Sequence, residues 1–454
     1  MTIHHGMIRH DKKDPLSGLR LHHYRHNSGF DLTVLPKAGF ATKFVGFAIP
    51  CGASALRFRD RLTGEETTVP PGTAHLLEHV IFRRNVEDDP VSGVLSRLTD
   101  LGIDANAYTS DTHMLFYFNT VESMLAGIML LFDAIRNPGF EQADIESERK
   151  IIRSELDLYF DEPENQVYQG VLDNLYHEHP VRYDIAGSAE TLETITVEHL
   201  QALHRTFFTQ GSLSMVVVGD VDETALLDHL APMLEEGQPA EQSRPIIPNE
   251  PESAVRDRTI LHGPVVNALF GLGWKDPQVS RDNPLNGAQL RLRQLAGQLY
   301  FQTLIGDSSA FYEELFTEGL IDESFSFSYV CERDFAYLVV TGEALEADRT
   351  IQAIQKRLPE LALNSDSDGQ AFDTQKRALT GRFIRSMDDI EACGAAAVNA
   401  AMNHIDLFDF PMLFERLDYK RTISTMNFVT REDVQTAVML LPSSPLHPED
   451  TAHV

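Results

Sequence analysis

The chain has 454 residues, of which 43% are apolar and 23% are charged, and its formal net charge is −30. This length and composition are typical of a soluble protein with two or more domains, and the negative charge argues against nucleic acid or an anionic membrane as a partner. No secretory signal and no apolar run of membrane-spanning length is visible, and three widely spaced cysteines favour a reducing compartment. We therefore expect a cytoplasmic protein without a disulfide framework.

The first informative element is a helix that is predicted to begin near Thr73, after a Pro-Gly step. Its segment 75–79 reads H-x-x-E-H, so His75 and His79 share one helix face and Glu78 lies beside them. Two imidazoles and a nearby carboxylate are the metal ligands and general base that a catalytic zinc site needs. The same pattern suits a surface helix with solvated side chains, but five apolar neighbours indicate a buried helix: Leu76, Leu77, Val80, Ile81 and Phe82.

The next elements are a turn at 101–104, an alternating stretch that ends at 115–118, and a helical pattern at 121–135. A long helix is then predicted at 144–158, because this segment lacks Gly and Pro and its apolar residues have helical spacing. Glu148 and Glu155 lie two turns apart on nearly the same face of this helix. A zinc site requires a third protein ligand, and the best candidate lies in this segment, where Glu155 adjoins the apolar stripe and should point inward. Periodicity alone favours a solvated helix whose acidic side chains pair with nearby cations, Arg149, Lys150 and Arg153.

Residues 234–254 are rich in Pro, Glu, Gln and Ser, which is typical of a linker. Earlier in the chain, His177 and His179 precede a proline, so a loop is favoured over a metal site. The second half repeats the order of the first, with a turn at 319–322, strands that end near 342, and helical patterns at 344–358 and 373–388. Each half therefore reads as an α+β unit.

Several of these segments resemble one known family. An H-x-x-E-H motif followed 76 residues later by Glu155, with Glu148 seven residues before that glutamate, resembles the signature of the M16 zinc metallopeptidases, or inverzincins. These include pitrilysin, insulin-degrading enzyme and the mitochondrial processing peptidase. The segment 102–109 (GIDANAYT) is similar to the family's G-x-x-x-N-A-x-T strand, and 215–221 is similar to its strand followed by Gly-Asp. Segments 175–187 and 309–322 resemble the bacterial short YmfH-like subgroup.

The resemblance implies an α+β fold of the LuxS/MPP-like metallohydrolase type. It comprises two homologous domains, each an antiparallel sheet with helices packed on one face. We expect a catalytic zinc-binding domain at 1–233, a linker at 234–254, and a degenerate domain without zinc at 255–454.

The resemblance also implies a zinc-dependent endopeptidase that hydrolyses peptides or unfolded polypeptide segments enclosed between the two domains. One Zn²⁺ per chain would be bound by His75, His79 and Glu155, with Glu78 as general base and Glu148 as the residue that orients a ligand histidine. The substrate would add as an extra strand beside four substrate-binding residues, Asn106, Ala107, Tyr108 and Thr109.

One feature of the family is missing. Active members use an arginine and a tyrosine, seven residues apart in a non-catalytic half, to bind the substrate carbonyl. In an alignment on Gly319 and Leu320, the matching positions here are Leu315 and Asp322. We therefore expect a second M16 subunit that supplies the Arg/Tyr pair in a heterodimer, or else a homodimer. The alternative is a non-catalytic assembly subunit, and the presence of all four motif residues argues against it.

Overall fold

The structure is a computed structural model that describes residues 3–4, 6–14, 17–83, 85–86, 89–234, 242–363 and 369–443. The elements of the first half are, in chain order, β1 (Ile3–His4), β2 (Met7–Lys13), β3 (Arg20–His26), β4 (Asp31–Pro36), β5 (Lys43–Ile49), β6 (Arg57–Arg59), β7 (Glu66–Thr68), α1 (Thr73–Arg83), β8 (Asn85–Val86), β9 (Asp89–Gly93), α2 (Val94–Asp100), β10 (Asp104–Thr109), β11 (Met114–Thr120), α3 (Met124–Arg136), α4 (Gln142–Asp161), α5 (Pro163–Leu175), α6 (Ala189–Thr194), α7 (Val197–Phe207), β12 (Ser214–Gly219) and α8 (Glu223–Leu230).

The second half continues with β13 (Arg258–Gly263), β14 (Ala268–Lys275), α9 (Gly287–Ile305), α10 (Ala310–Thr317), β15 (Ser326–Cys331), β16 (Ala336–Ala344), α11 (Ala347–Leu363), α12 (Gly369–Ser386), α13 (Ile390–Met402), α14 (Phe410–Arg416), α15 (Tyr419–Met426) and β17 (Gln435–Pro442). The predicted repeat is present, because α2-β10-β11-α3 in the first half corresponds to α10-β15-β16-α11 in the second.

Each half contains one main sheet. The strand order is β1-β2-β3-β4-β12-β5-β11-β10 in the first half and β13-β17-β14-β16-β15 in the second. Most neighbours are antiparallel, but β12 runs parallel to β4, and β17 runs parallel to β13. These two strands return to the sheet interior after a series of helices, and such long connections permit parallel pairing. The predicted α+β class is confirmed, and the sheets are mixed rather than purely antiparallel.

The two halves exchange a helix. Alternate residues of β5 face opposite sides of the sheet, so Phe47 packs with first-half helices while Phe44 packs against α13 of the second half. In return, α5 of the first half covers β14 and β17. The contact is close enough that a Cβ added at Gly271 would lie 2.5 Å from Cγ1 of Val167. Each main sheet is therefore covered on one face by a helix that belongs to the other half.

The described part of the predicted linker is anchored by a buried ion pair. The carboxylate of Glu250 accepts hydrogen bonds from the backbone N–H groups of residues 177, 178 and 179 at 2.9, 2.8 and 2.8 Å. It also pairs with Nζ of Lys275 at 2.7 Å, and Lys275 is only 3% exposed. The segment around His177 and His179 is therefore a loop, as predicted.

The structure tests some of the sequence expectations only in part. Residues 235–241 of the predicted linker lie outside the described residues, and the limits 1–233, 234–254 and 255–454 stay a prediction. The three cysteines are buried and free: Cys51, Cys331 and Cys393. Among the described helices, none combines the length and the apolar character that a membrane span requires.

Candidate metal centre

Helix α1 begins at a constrained glycine. Gly72 has a φ of +90°, and a Cβ at this position would lie 2.4 Å from the carbonyl oxygen of Ala186. Only glycine allows both this conformation and this close approach. The next residue, Thr73, starts the helix, and its hydroxyl donates to the carbonyl oxygen of Pro70 at 2.6 Å. The start of the H-x-x-E-H helix is thus fixed against the 186–187 loop.

The three predicted metal ligands converge. The rings of His75 and His79 lie 4.8 Å apart between centroids, at an interplanar angle of 75°. Helix α4 packs against α1 and places Oε2 of Glu155 at 3.7 Å from Nε2 of His79. One donor atom from each of these three residues lies within 4.8 Å of the other two. Two imidazoles and one carboxylate from facing helices form a ligand set that suits a catalytic Zn²⁺.

Glu148 lies behind His79 on the side away from Glu155. Its carboxylate accepts a hydrogen bond from Nδ1 of His79 at 3.2 Å and one from Nη1 of Arg83 at 2.8 Å. Burial raises the pKa of Glu148, but the hydrogen bonds from His79 and Arg83 outweigh it and hold the pKa below its usual value. An anionic acceptor at Nδ1 fixes the His79 tautomer and turns Nε2 towards Glu155. Sequence reasoning missed Arg83, although it stands one helical turn after His79.

Glu78 is 8% exposed and connects the helix to strand β10. The hydroxyl of Thr109 donates to its Oε2 at 2.5 Å. Burial raises the pKa of Glu78, and the Thr109 hydrogen bond offsets only part of that effect. The carboxyl group is therefore held at the end of β10 with one oxygen engaged, in an environment that strengthens it as a base.

The two histidines differ in their surroundings. Burial lowers the pKa of His75 to about 4, with a smaller contribution from His79, so this imidazole is neutral at physiological pH. Its Nδ1 is buried and has no hydrogen-bond partner among the described residues. Burial also lowers the pKa of His79, but the Glu148 hydrogen bond and the neighbouring carboxylates of Glu155 and Glu78 outweigh it, so the pKa is raised. A neutral imidazole and a carboxylate-oriented one are both suited to metal coordination.

Strand β10 carries the predicted substrate-binding residues and is the outer strand of its sheet, and among the described strands it pairs only with β11. The side chains of Asn106 and Tyr108 are exposed, and the Asn106 amide oxygen accepts a hydrogen bond from the backbone N–H of Ala107 at 2.8 Å. The Tyr108 ring contacts His113, with centroids 5.8 Å apart. Because β10 has one free edge and its Thr109 end meets Glu78, a peptide paired along it would reach the metal centre.

The second half has neither an arginine nor a tyrosine at the two positions that the family alignment identifies. Leu315 is fully buried in the core, and Asp322 caps a turn by accepting the backbone N–H of Ser324 at 2.9 Å. Neither side chain can donate a hydrogen bond to a substrate carbonyl as an arginine or a tyrosine does.

Comparison with protein-family models gives two consecutive matches. Residues 64–189 match insulinase (peptidase family M16), and residues 194–379 match the peptidase M16 inactive domain. The chain belongs to the M16 peptidase family. The first match contains the convergent residues of α1 and α4, and the second contains most of the other half, whose described residues hold no such cluster of metal ligands. The recognised family and its fold are thereby confirmed.

Individual M16 relatives agree with this assignment. The zinc protease YmfH of Bacillus subtilis is 29% identical over 432 residues, which are 93% of this chain and 97% of the relative. The crystal structure of an M16-like peptidase from Alicyclobacillus acidocaldarius has a TM-score of 0.84 at 27% identity and covers 94% of this chain and 99% of its own. Pitrilysin shares the fold, with a TM-score of 0.73 at 16% identity over 97% of this chain and 47% of its own. The zinc protease relatives support a peptidase role and zinc as the metal.

Proposed function

We propose that this chain is a zinc-dependent endopeptidase that cleaves peptides or unfolded polypeptide segments and is completed by a second M16 subunit. The observation that carries the proposal is the convergence of the His75, His79 and Glu155 donor atoms within 4.8 Å of one another. The zinc protease relatives support the same metal. Bound there, Zn²⁺ would act as a Lewis acid that polarises the substrate carbonyl and activates a water molecule.

Glu78 is the proposed general base. Its Oε2 is engaged by the Thr109 hydroxyl, which leaves Oε1 to accept a proton from the attacking water and to pass it to the leaving amine. Glu148 is a positioning residue, because it acts through Nδ1 of His79 and does not face the substrate strand. We assign the open edge of β10, at residues 106–109, to backbone pairing with an extended peptide. Such pairing depends little on side chains, so broad sequence tolerance is expected.

The second subunit is proposed because the oxyanion contacts have no source at the family's positions in this chain. Leu315 lies in the core and Asp322 carries the charge opposite to that required. A relative from Caenorhabditis elegans, 24% identical over 330 residues, is by name the beta subunit of a mitochondrial-processing peptidase, that is, one part of a larger enzyme. By analogy, a partner that carries an Arg/Tyr pair would complete the site here.

The decisive experiment measures cleavage of a fluorescence-quenched peptide by the purified zinc-loaded chain, alone and mixed with a second M16 protein that carries the Arg/Tyr pair. We expect activity only in the mixture. Glu78→Gln should retain one equivalent of zinc and lose cleavage in the mixture, because the amide cannot accept the proton. Asp157→Asn is the matched control, since this aspartate is exposed on α4 and forms no ion pair among the described residues.

The outcomes separate the parts of the proposal. Full activity of the chain alone would remove the need for a partner. An active, zinc-loaded Glu78→Gln variant would contradict the base assignment. A mixture that binds zinc but cleaves no member of a varied peptide library would favour a non-catalytic assembly subunit.

A further inference from the structure

A second groove lies in the half without the zinc motif. It has a volume of about 630 Å³ and runs between helix α9 and the outer strand β15. One face of the helix lines it with Gln294, Gln298 and Gln302, and the strand lines the opposite side. The arrangement repeats that of the first half, where α1 lies beside the outer strand β10.

One contact relates the two helices. Glu78 accepts a hydrogen bond from Thr109 at the last residue of β10, and Gln294 donates to the carbonyl oxygen of Cys331 at the last residue of β15, at 2.8 Å. Arg291 precedes Gln294 by three residues, as His75 precedes Glu78, and the residue after Gln294 is a buried leucine. An arginine therefore stands where the first half has a metal ligand.

Arg291 lacks a counter-charge in the described part of the chain. Its guanidinium lies 4.4 Å from the ring centroid of Phe410, and Nη1 donates to Oε1 of Gln294 at 3.1 Å. Its Nε is buried and has no hydrogen-bond partner among the described residues. Burial lowers the pKa of Arg291 to about 10, and no carboxylate acts to raise it.

Three acidic side chains also line the groove. Each of them either bonds to a residue other than Arg291 or is exposed to solvent. Asp307 accepts a hydrogen bond from Gln302 at 3.3 Å, and Glu323 is exposed to solvent. Glu332 accepts one from the hydroxyl of Thr112 at 3.4 Å, and burial raises its pKa to about 7, so it is a poor counter-ion. In the described structure none of the three forms an ion pair with Arg291.

A partly buried cation without a counter-ion is unfavourable, and a carboxylate is the group that a planar guanidinium binds best, through two parallel hydrogen bonds. The outer edge of β15, which pairs with no strand in the described part of the chain, adds a second element of recognition. The Cys331 carbonyl points towards α9, so the backbone groups of Tyr329 and Phe327, two and four residues earlier, point the same way. These groups are available to an extended chain.

We propose that this groove binds a carboxylate-bearing segment of an extended peptide, with Arg291 as the anchor for the carboxylate and β15 as the pairing edge. The carboxylate comes from a free C-terminus or from an acidic side chain. The inference rests on the proposed function, because it takes the peptide substrate as the ligand. Arg291 contributes binding and specificity, not chemistry.

The test is equilibrium binding to the full chain carrying Glu78→Gln, which excludes cleavage. The probes are three fluorescein-labelled twelve-residue peptides without other acidic residues: one with a free C-terminus, one amidated, and one amidated with a single internal glutamate. Fluorescence anisotropy should show binding about tenfold or more tighter for a carboxylate-bearing peptide than for the neutral one, as expected for a charge-assisted hydrogen-bonded pair. Whichever of the two acidic peptides shows the preference identifies the source of the carboxylate.

Two variants and a control connect this preference to Arg291. Arg291→Gln should abolish it. Arg357→Gln, which changes a partly exposed arginine of α11 that pairs with Glu318, should leave it unchanged. Arg291→Met should melt at the same or a higher temperature than the parent, because it removes a partly buried charge that has no counter-ion in the described structure.

The inference is overturned if the three peptides bind equally, if none binds, or if Arg291→Gln retains the preference. A marked fall in melting temperature for Arg291→Met would assign the arginine a structural role through Phe410 instead. Binding and cleavage can fail independently. If the protein prefers carboxylate-bearing peptides but cleaves nothing, this inference stands and the proposed function fails. If it cleaves peptides but shows no such preference, the proposed function stands and this inference fails.

Discussion

Replacing Glu148 with glutamine should weaken zinc binding by about 10- to 100-fold, the range typical of residues that orient a metal-ligating histidine. Two charge-assisted hydrogen bonds depend on this carboxylate, at 3.2 Å from His79 and 2.8 Å from Arg83. Glutamine can accept from only one of these donors in the same geometry, so one bond of roughly 1.5–3 kcal/mol is lost. At 1.4 kcal/mol per tenfold change in affinity, this loss corresponds to roughly the same range.

The assay is competition for zinc with a chromophoric chelator at pH 7.5, with the melting temperature of the metal-free protein measured in parallel. Asp157→Asn, at an exposed position of the same helix, is the control and should leave the affinity unchanged. An unaltered zinc affinity for Glu148→Gln, with the fold intact, would refute the reasoning that Glu148 orients His79. An equal loss in the control variant would show that the helix, not the hydrogen bond, is responsible.

Three further predictions concern stability and are checked by chemical denaturation. Gly72→Ala should destabilise the protein by about 2–4 kcal/mol, since it combines a positive φ with a clash against backbone; an unchanged midpoint would contradict this. Glu250→Gln should destabilise it by about 3 kcal/mol or more, because Lys275 stays buried without its partner, whereas the exposed Asp282→Asn should have no effect. Burial raises the pKa of Glu250, but Lys275 and the backbone amides outweigh this effect and lower the pKa. The difference in unfolding free energy between wild type and Glu250→Gln should therefore persist above pH 4.5 and shrink below it. A difference in unfolding free energy that is independent of pH would count against the ion pair. Gly271→Ala should cost about 1–3 kcal/mol through its clash with the exchanged helix α5, and tolerance of this change would argue against that packing.

The metal centre was accessible to sequence reasoning because its geometry is local to two helices. The spacing of His75 and His79 places them on one face wherever that helix lies in the fold. Glu155 required the family resemblance, since its own helix carries other acids whose spacing is equally compatible with solvent exposure. Its place in the chain, 76 residues after the motif, distinguished it, and the structure brings it to the two histidines. The roles of these residues in catalysis stay a prediction.

The tertiary arrangement around the centre could not be predicted in the same way. Helices α5 and α13 have apolar faces that suit either main sheet, and nothing in their periodicity indicates that each packs against the sheet of the other half. The composition of the linker indicated a loose connection, whereas Glu250 forms a buried ion pair with a lysine at the end of an apolar strand. Arg291 was also overlooked, because an arginine in a helix is usually solvated, and only the packing against Phe410 reveals its burial.

The exchange of α5 and α13 has a practical consequence for how this chain can be divided. A cut within the linker would leave each fragment with one sheet face uncovered and one apolar helix without its binding surface. Neither fragment alone is expected to fold stably and stay soluble, but the two fragments together carry all the complementary surfaces. Co-expressed halves should therefore assemble into a non-covalent pair, and each half would serve as the folding template of the other.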